Sequence, residues 1–298
     1  MKLLITGAAG EIGRAVVPVL ADRHEVRATD VVEAAPPCEF VQANLLEDGA
    51  VDRLVEGVDA VLHLAALLPF DYTLRQFMDV NATVPTLLLD AAARAGVDNF
   101  VYASTVWATG HGPEEGKYPI TIDTPPNAIC PYGHAKYVGE IGAEYVARNT
   151  AMRVQVVRLC GYDTCGEIGP KGVIEWRSVD SPTLVIAAAR GQRSFDPLDM
   201  ADAFDGALKM EVKFSRNILG VDWPFEAEDA EIVLADAEAA WEKYYPGAKA
   251  FFRMLGINAP ELQFWYETRP FAEAAKWRPR MTLPKLMTRY LAMHGDKL

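Results

Sequence analysis

Short apolar runs alternate with stretches of helical periodicity through the first half of the chain. Leu3 to Thr6 is a run of strand character closed by a glycine-rich turn, after which Ile12, Val16, Val17 and Leu20 recur at helical spacing. Glu25 to Asp30 reads as a second strand and Phe40-Val41 as a shorter third. Ala60 to Leu64 is a compact apolar run, and Thr73 to Ala95 carries apolar residues at helical spacing up to Gly96, a helix stop. A strand over Asn99 to Ser104, a long helix over Tyr132 to Asn149 and a strand over Met152 to Leu159 complete the series. Apolar strands separated by helices predict an α/β fold with a doubly wound parallel sheet. Strands covered on both faces have no reason to alternate apolar with polar positions.

After Gly161 the pattern loosens. Gly and Pro recur through Pro170, Gly172 and Pro182, with a helix expected over Asp199 to Met210 and a strand over Ser215 to Leu219. From Phe225 the chain is rich in aromatic residues, among them Trp241, Phe251, Phe252 and Trp265, which read as core. Composition narrows the partners. The 298 residues carry 29 Lys and Arg against 41 Asp and Glu, a net charge of −12, which argues against a nucleic-acid surface. No apolar run approaches the ~18–20 residues of a membrane helix, and Met1 to Gly7 is too short for a secretory signal. A cytoplasmic protein without membrane contact is the expectation. Cys38, Cys130, Cys160 and Cys165 form no CxxC or CxxH pair, so no metal site is expected and the thiols read as reduced.

The glycines of Thr6-Gly7-Ala8-Ala9-Gly10-Glu11-Ile12-Gly13 fall at intervals of three, between a strand and a helix. Such a turn brings backbone close to a pyrophosphate, and the free N–H groups of the helix start, here from Glu11 and Ile12, face the anion. A glycine triplet alone is weak, but Asp30 stands at the end of the second strand, where a carboxylate accepts both ribose hydroxyls of NAD and repels the 2′-phosphate of NADP. The chain is therefore expected to bind NAD. Residues 1–160 then form a Rossmann-type NAD-binding part carrying the catalytic residues. Residues 161–298 form a smaller, irregular substrate-binding part, some of whose elements return to the sheet.

Tyr132-Gly133-His134-Ala135-Lys136 places a phenol and an ammonium on one helix face. A neighbouring Lys⁺ favours phenolate, which lets a group of ordinary pKa near 10 act as a base. Tyr245 and Lys249 share the spacing, but the Pro246-Gly247 between them is a turn signal. Tyr132 follows the strand ending in Ser104-Thr105, whose hydroxyls stand near the reacting oxygen.

With these motifs in order, the first ~160 residues resemble an extended short-chain dehydrogenase/reductase of the NAD-dependent epimerase/dehydratase family. The similar stretches include Ala43-Asn44-Leu45, the family's adenine-contacting turn, and His63-Leu64-Ala65-Ala66 after the fourth strand. Asn81 in the long helix, Ala103-Ser104-Thr105, and Arg158-Leu159-Cys160-Gly161 past the nicotinamide match as well. The resemblance implies Tyr132 as base, Lys136 lowering its pKa and binding the nicotinamide ribose, and Thr105 orienting the substrate oxygen. It implies cofactor contacts from Asn44, Leu45, Leu64, Ala65, Ala66, Asn81, Ser104 and Leu159, and a homodimer through the two long helices.

Departures from the family pattern shape the expected chemistry. Val106-Trp107 stand where the family's 4,6-dehydratases carry Asp-Glu, so dehydration is disfavoured. The glycine-rich loop ahead of Gly191-Gln192-Arg193 is contracted, and Thr109-Gly110 is closer to the uronate dehydrogenases. The leading expectation is hydride transfer between NAD and a secondary alcohol of a sugar or sugar acid, with a sugar epimerase as the alternative and a non-catalytic NAD-binding regulator behind both. Thr105, Trp107, His111 and Arg193 are the candidate substrate contacts, with Lys171 and Arg190 as further cations.

Overall fold

The first strand, β1 (Lys2–Thr6), sends Leu3 and Ile5 into one apolar layer and Leu4 into the other, and none of the three retains exposed surface. That is the period of two expected of a strand, here covered on both sides. The computed structural model describes residues 1–110, 118–160, 198–220, 223–256 and 265–280 with their side chains. It also describes single positions between 258 and 288, and the backbone of 166–168, 174–176 and 197.

Around β1 run β2 (Glu25–Asp30), β3 (Glu39–Gln42), β4 (Ala60–His63), β5 (Asn99–Thr105) and β6 (Arg153–Leu159), close to the runs read from the sequence. β7 (Gly166–Ile168) and β8 (Ile174–Trp176) make a separate antiparallel pair. β9 (Phe214–Leu219) joins β6 and completes a seven-stranded, wholly parallel sheet in the order β3-β2-β1-β4-β5-β6-β9. The order reverses between β1 and β4, which opens a crevice at the carboxyl ends of those strands. One layer packs α1 (Glu11–Ala21) and α6 (Pro197–Leu208) on the sheet. The other packs α2 (Ala50–Val55), α4 (Val84–Arg94) and α5 (Pro131–Asn149).

The helix expected over Thr73 to Ala95 is not continuous. It consists of α3 (Leu74–Met78), a π-turn over Asp79–Thr83 and α4. Pro85 is the reason: it has no N–H for the carbonyl four residues back, that of Asn81, and Val84 N–H reaches instead to Asp79 O. The freed Asn81 carbonyl accepts the Tyr102 hydroxyl at 3.0 Å.

Beyond β9 the aromatic tail forms its own core. Phe225, Trp241, Phe251, Phe252 and Trp265 pack together, with short helices at Ala230–Ala235, Ala237–Tyr244 and Ala248–Met254. Among the described residues, this core is tied to the β5–α5 connection around Ile120. Ile120 N–H donates to Trp265 O at 2.8 Å, Glu267 N–H to Ile120 O at 2.9 Å, and Tyr118 stacks on Trp265 at 5.3 Å. Among the described residues no helix is long and apolar enough to cross a membrane.

Candidate active site

The crevice begins at the glycine turn. Gly7 sits at φ +73, and a side-chain carbon there would lie 2.6 Å from Ala65 N; one at Gly13 would lie 2.2 Å from Gly7 O. Only glycine lets these backbones meet so closely. Gly10 caps α1, so Glu11 and Ile12 open its first turn. Asp30 faces the same turn, its carboxylate accepting Ala9 N–H at 2.9 Å and Val32 N–H at 3.0 Å. Ala43 N–H donates to Asp30 O at 2.9 Å, and the Asn44 side chain accepts Leu46 N–H at 3.0 Å, which shapes the turn carrying Leu45. Leu64 and Ala65 N–H groups donate to Thr6 O and Thr6 Oγ1, at 3.2 Å each, so Leu64, Ala65 and Ala66 leave β4 along the glycine turn. Leu159 ends β6 opposite Thr105. The close backbone approach and the carboxylate facing the glycine turn fit a dinucleotide.

Two of the expected cofactor side chains are hydrogen-bonded within the protein. The Asn81 amide is buried and spent on Leu67, accepting its N–H and donating to its carbonyl at 2.8 Å each. These bonds fix the β4–α3 loop to the π-turn. The Ser104 hydroxyl donates to Glu140 Oε1 at 2.6 Å, because strand alternation points it away from Thr105 and toward α5.

Thr105, Tyr132 and Lys136 do converge. Cys130 accepts Gly133 N–H at the start of α5, and Pro131 occupies the first turn, so Tyr132 enters beside the end of β5. Gly133 is needed there, since a side-chain carbon would stand 2.3 Å from Trp107 O. Tyr132 is hydrogen-bonded to Thr105, and its ring meets Trp107 and Phe77 edge-on at 6.0 and 6.2 Å. Thr105 Oγ1 also accepts Trp107 N–H at 3.3 Å. Lys136 is buried; its ammonium donates to Ala103 O at 2.6 Å and stands 4.4 Å over the Tyr102 ring.

Burial pushes the Tyr132 phenol up to about 12, against the pull of its Thr105 hydrogen bond. Burial likewise brings Lys136 down to about 7, with Glu140 holding it up. His63, stacked 5.7 Å from Tyr102 and 2.7 Å from Thr6 Oγ1, is held at about 3 by burial and then by Lys136. His111 and Arg193, with Lys171, Arg190 and Cys165, lie outside the described residues. Among the described residues no group of three or more His, Cys, Asp or Glu could hold a metal ion.

Sequence reasoning missed Glu140, Tyr102 and Arg216. Glu140 was signalled by spacing, since it continues the four-residue step from Tyr132 through Lys136.

Fold and site together define an extended short-chain dehydrogenase/reductase. The chain belongs to the NAD dependent epimerase/dehydratase family, which it matches over residues 3–168. A uronate dehydrogenase of Pseudomonas syringae pv. tomato is 34% identical over 154 residues, 48% of this chain and 53% of that protein. A UDP-glucose 4-epimerase of Lactobacillus helveticus is 29% identical over 210 residues, 65% of this chain and 62% of that protein. The chain thus spans little more than half the length of these relatives. Among solved structures, a short-chain dehydrogenase/reductase superfamily protein of Agrobacterium tumefaciens with bound NAD superposes with a TM-score of 0.71. It is 21% identical and covers 100% of this chain and 98% of that one. This last likeness carries the fold.

Proposed function

We propose that the protein is an NAD-dependent oxidoreductase transferring hydride at a secondary alcohol or ketone of a sugar or sugar acid. The observation that carries this reading is the convergence of Thr105, Tyr132 and Lys136 at the end of β5, across the crevice from the glycine turn. Val106 and Trp107 follow Thr105, so neither residue puts a carboxylic acid there to expel a hydroxyl group.

In this reading Gly7, Gly10 and Gly13, with the N–H groups of Glu11 and Ile12, hold the pyrophosphate, and Asp30 the adenosine ribose. Asn44 and Leu45 border the adenine, and Leu64, Ala65, Ala66 and Leu159 wall the crevice. Bound there, NAD supplies the hydride acceptor. Thr105 hydrogen-bonds the substrate oxygen, Tyr132 takes its proton, and the ammonium of Lys136 stabilises the phenolate that does so. The ring face of Trp107 beside Tyr132 is a substrate contact, and His111 and Arg193 are proposed to add polar ones. The working form is a homodimer through α4 and α5, on which Leu87, Ile141 and Tyr145 stand 48%, 50% and 66% exposed.

Incubating candidate sugars and sugar acids with excess NAD tests the reading. Stoichiometric NADH is the expected result. Exchange between isomers without NADH would make the protein an epimerase, a reading favoured by the similarity to UDP-glucose 4-epimerase. Tyr132→Phe should lower turnover at least ~10²-fold while NADH still binds. Full activity in that variant would defeat both enzymatic readings.

A further inference from the structure

The α5 face that carries Tyr132 and Lys136 continues at the same spacing through Glu140 and Glu144. Glu140 has no exposed surface, and its carboxylate is saturated. Oε1 accepts from Ser104 Oγ at 2.6 Å and Arg158 Nε at 2.9 Å; Oε2 accepts from Arg158 Nη2 at 2.7 Å and Arg216 Nε at 3.2 Å. Arg216 also pairs with Glu144 at 2.6 Å.

Stability alone does not account for this cluster. Replacing a buried ion pair by apolar residues is often neutral or stabilising. Here Arg158 Nη1 is moreover left without a partner in the interior. The cluster's position is informative. Three successive residues of β5 each meet a different residue of this α5 face: Ala103 O takes the Lys136 ammonium, Ser104 takes Glu140, and Thr105 takes Tyr132. Arg158 and Arg216 both bind Glu140, while Glu144 pairs with Arg216 and Arg148, so Glu140 is the carboxylate of this cluster next along the face from Lys136.

We propose that Glu140 is a positioning residue of the catalytic pair, keeping the charge on Lys136 and, through Ser104, seating the end of β5 against α5. It touches neither substrate nor cofactor. The groups facing Lys136 are Glu140 from α5, the Tyr102 ring and Ala103 carbonyl from β5, and neutral His63 from β4, with Tyr132 one turn back on the same α5 face. Arg158 from β6 and Arg216 from β9 are bound to Glu140. Glu140 is the anion in this set. Removing it lowers the proton affinity of both Lys136 and Tyr132, the lysine more, since it stands one helical turn away. Lys136 then stands as the neutral amine at a pH where the intact protein still holds the ammonium that would stabilise a phenolate formed on Tyr132. The inference rests on the role of Lys136 in the proposed reaction, but its test needs no turnover.

The probe is an NMR titration of protein labelled at lysine Cε, with the Lys136 signal assigned by its loss in Lys136→Met. Glu140→Gln should lower the proton affinity of Lys136 by about tenfold, one pH unit, whereas Glu140→Asp, which keeps the charge, should hold it within about twofold. Tyr132 ionisation, followed at 295 nm as the difference from Tyr132→Phe, should move the same way by less. Because Glu140→Gln strands Arg158, the double variant Glu140→Gln/Arg158→Met is prepared beside it. If the single variant does not fold, the double must still show a drop of at least about threefold. An unmoved Lys136 titration in a folded variant overturns the proposal. That outcome alongside NADH formation by the wild type would remove the role of Glu140 and leave the proposed function standing.

Discussion

At the scale of single residues, Lys136 is held against its own preference. An unfolded lysine keeps its proton up to about 10.5, and folded Lys136 releases it near 7. Between those values the unfolded chain binds more protons. The contribution of Lys136 to stability therefore improves with pH across that window and is least favourable below it. Lys136→Met, which keeps length and loses charge, should melt above the wild type at pH 7, with the gap closing toward pH 10. Calorimetry across that range checks it; a lower melting temperature at pH 7 would show that the lysine is structural. A residue that costs stability at neutral pH is the pattern expected of a functional one. That Tyr132 and Lys136 both reach the end of β5 was legible, because residues four apart share a helix face. The partners of Ser104 and Asn81 were not legible, since the direction of a hydroxyl or an amide depends on which strand face or helix irregularity carries it.

At the scale of elements, Pro85 and Tyr102 act as one device. The proline withholds an N–H from Asn81 O and the phenol supplies the missing donor. Tyr102→Phe keeps the ring under Lys136 but leaves that buried carbonyl without its donor, which should cost about 1–3 kcal/mol in urea unfolding. In a Pro85→Ala background the same change should cost less, because the alanine brings an N–H that can serve Asn81 O. A double-mutant cycle reads the coupling directly, and strict additivity would contradict it. Strands β1, β2, β4, β5 and β6 were legible to within a residue or two, since burial on both faces leaves unbroken apolar runs at β1, β4 and β5, whereas the short pair β7 and β8 was not read. The π-turn was hidden because its cause, a proline, is compensated by a strand residue far away in sequence. The short helix α2 and those of the aromatic tail carry too few turns for periodicity to declare them.

At the scale of the whole molecule, the net charge of −12 gives no help in gathering an anionic sugar acid, so such a substrate needs local cations working against the global field. The proposed dimer is testable without a substrate. Ile141→Asp on α5 should yield a monomer by sedimentation velocity, while a wild type that sediments as a monomer would remove the dimer from the proposal. That β9 completes the sheet from beyond residue 161 was anticipated only in outline, because the irregular stretch before it conceals where the chain returns. The tie between Ile120 and the Trp265–Glu267 segment joins the connection leading to Tyr132 to residues made much later. Chains emerge amino end first at roughly 5–20 residues per second. The nucleotide-binding strands up to β6 are therefore available for on the order of ten seconds before Trp265 exists. Birth order thus sets a sequence of assembly: the strands flanking the crevice can pair on the nascent chain, and the connection leading to Tyr132 is tied down only once the Trp265–Glu267 segment has been made.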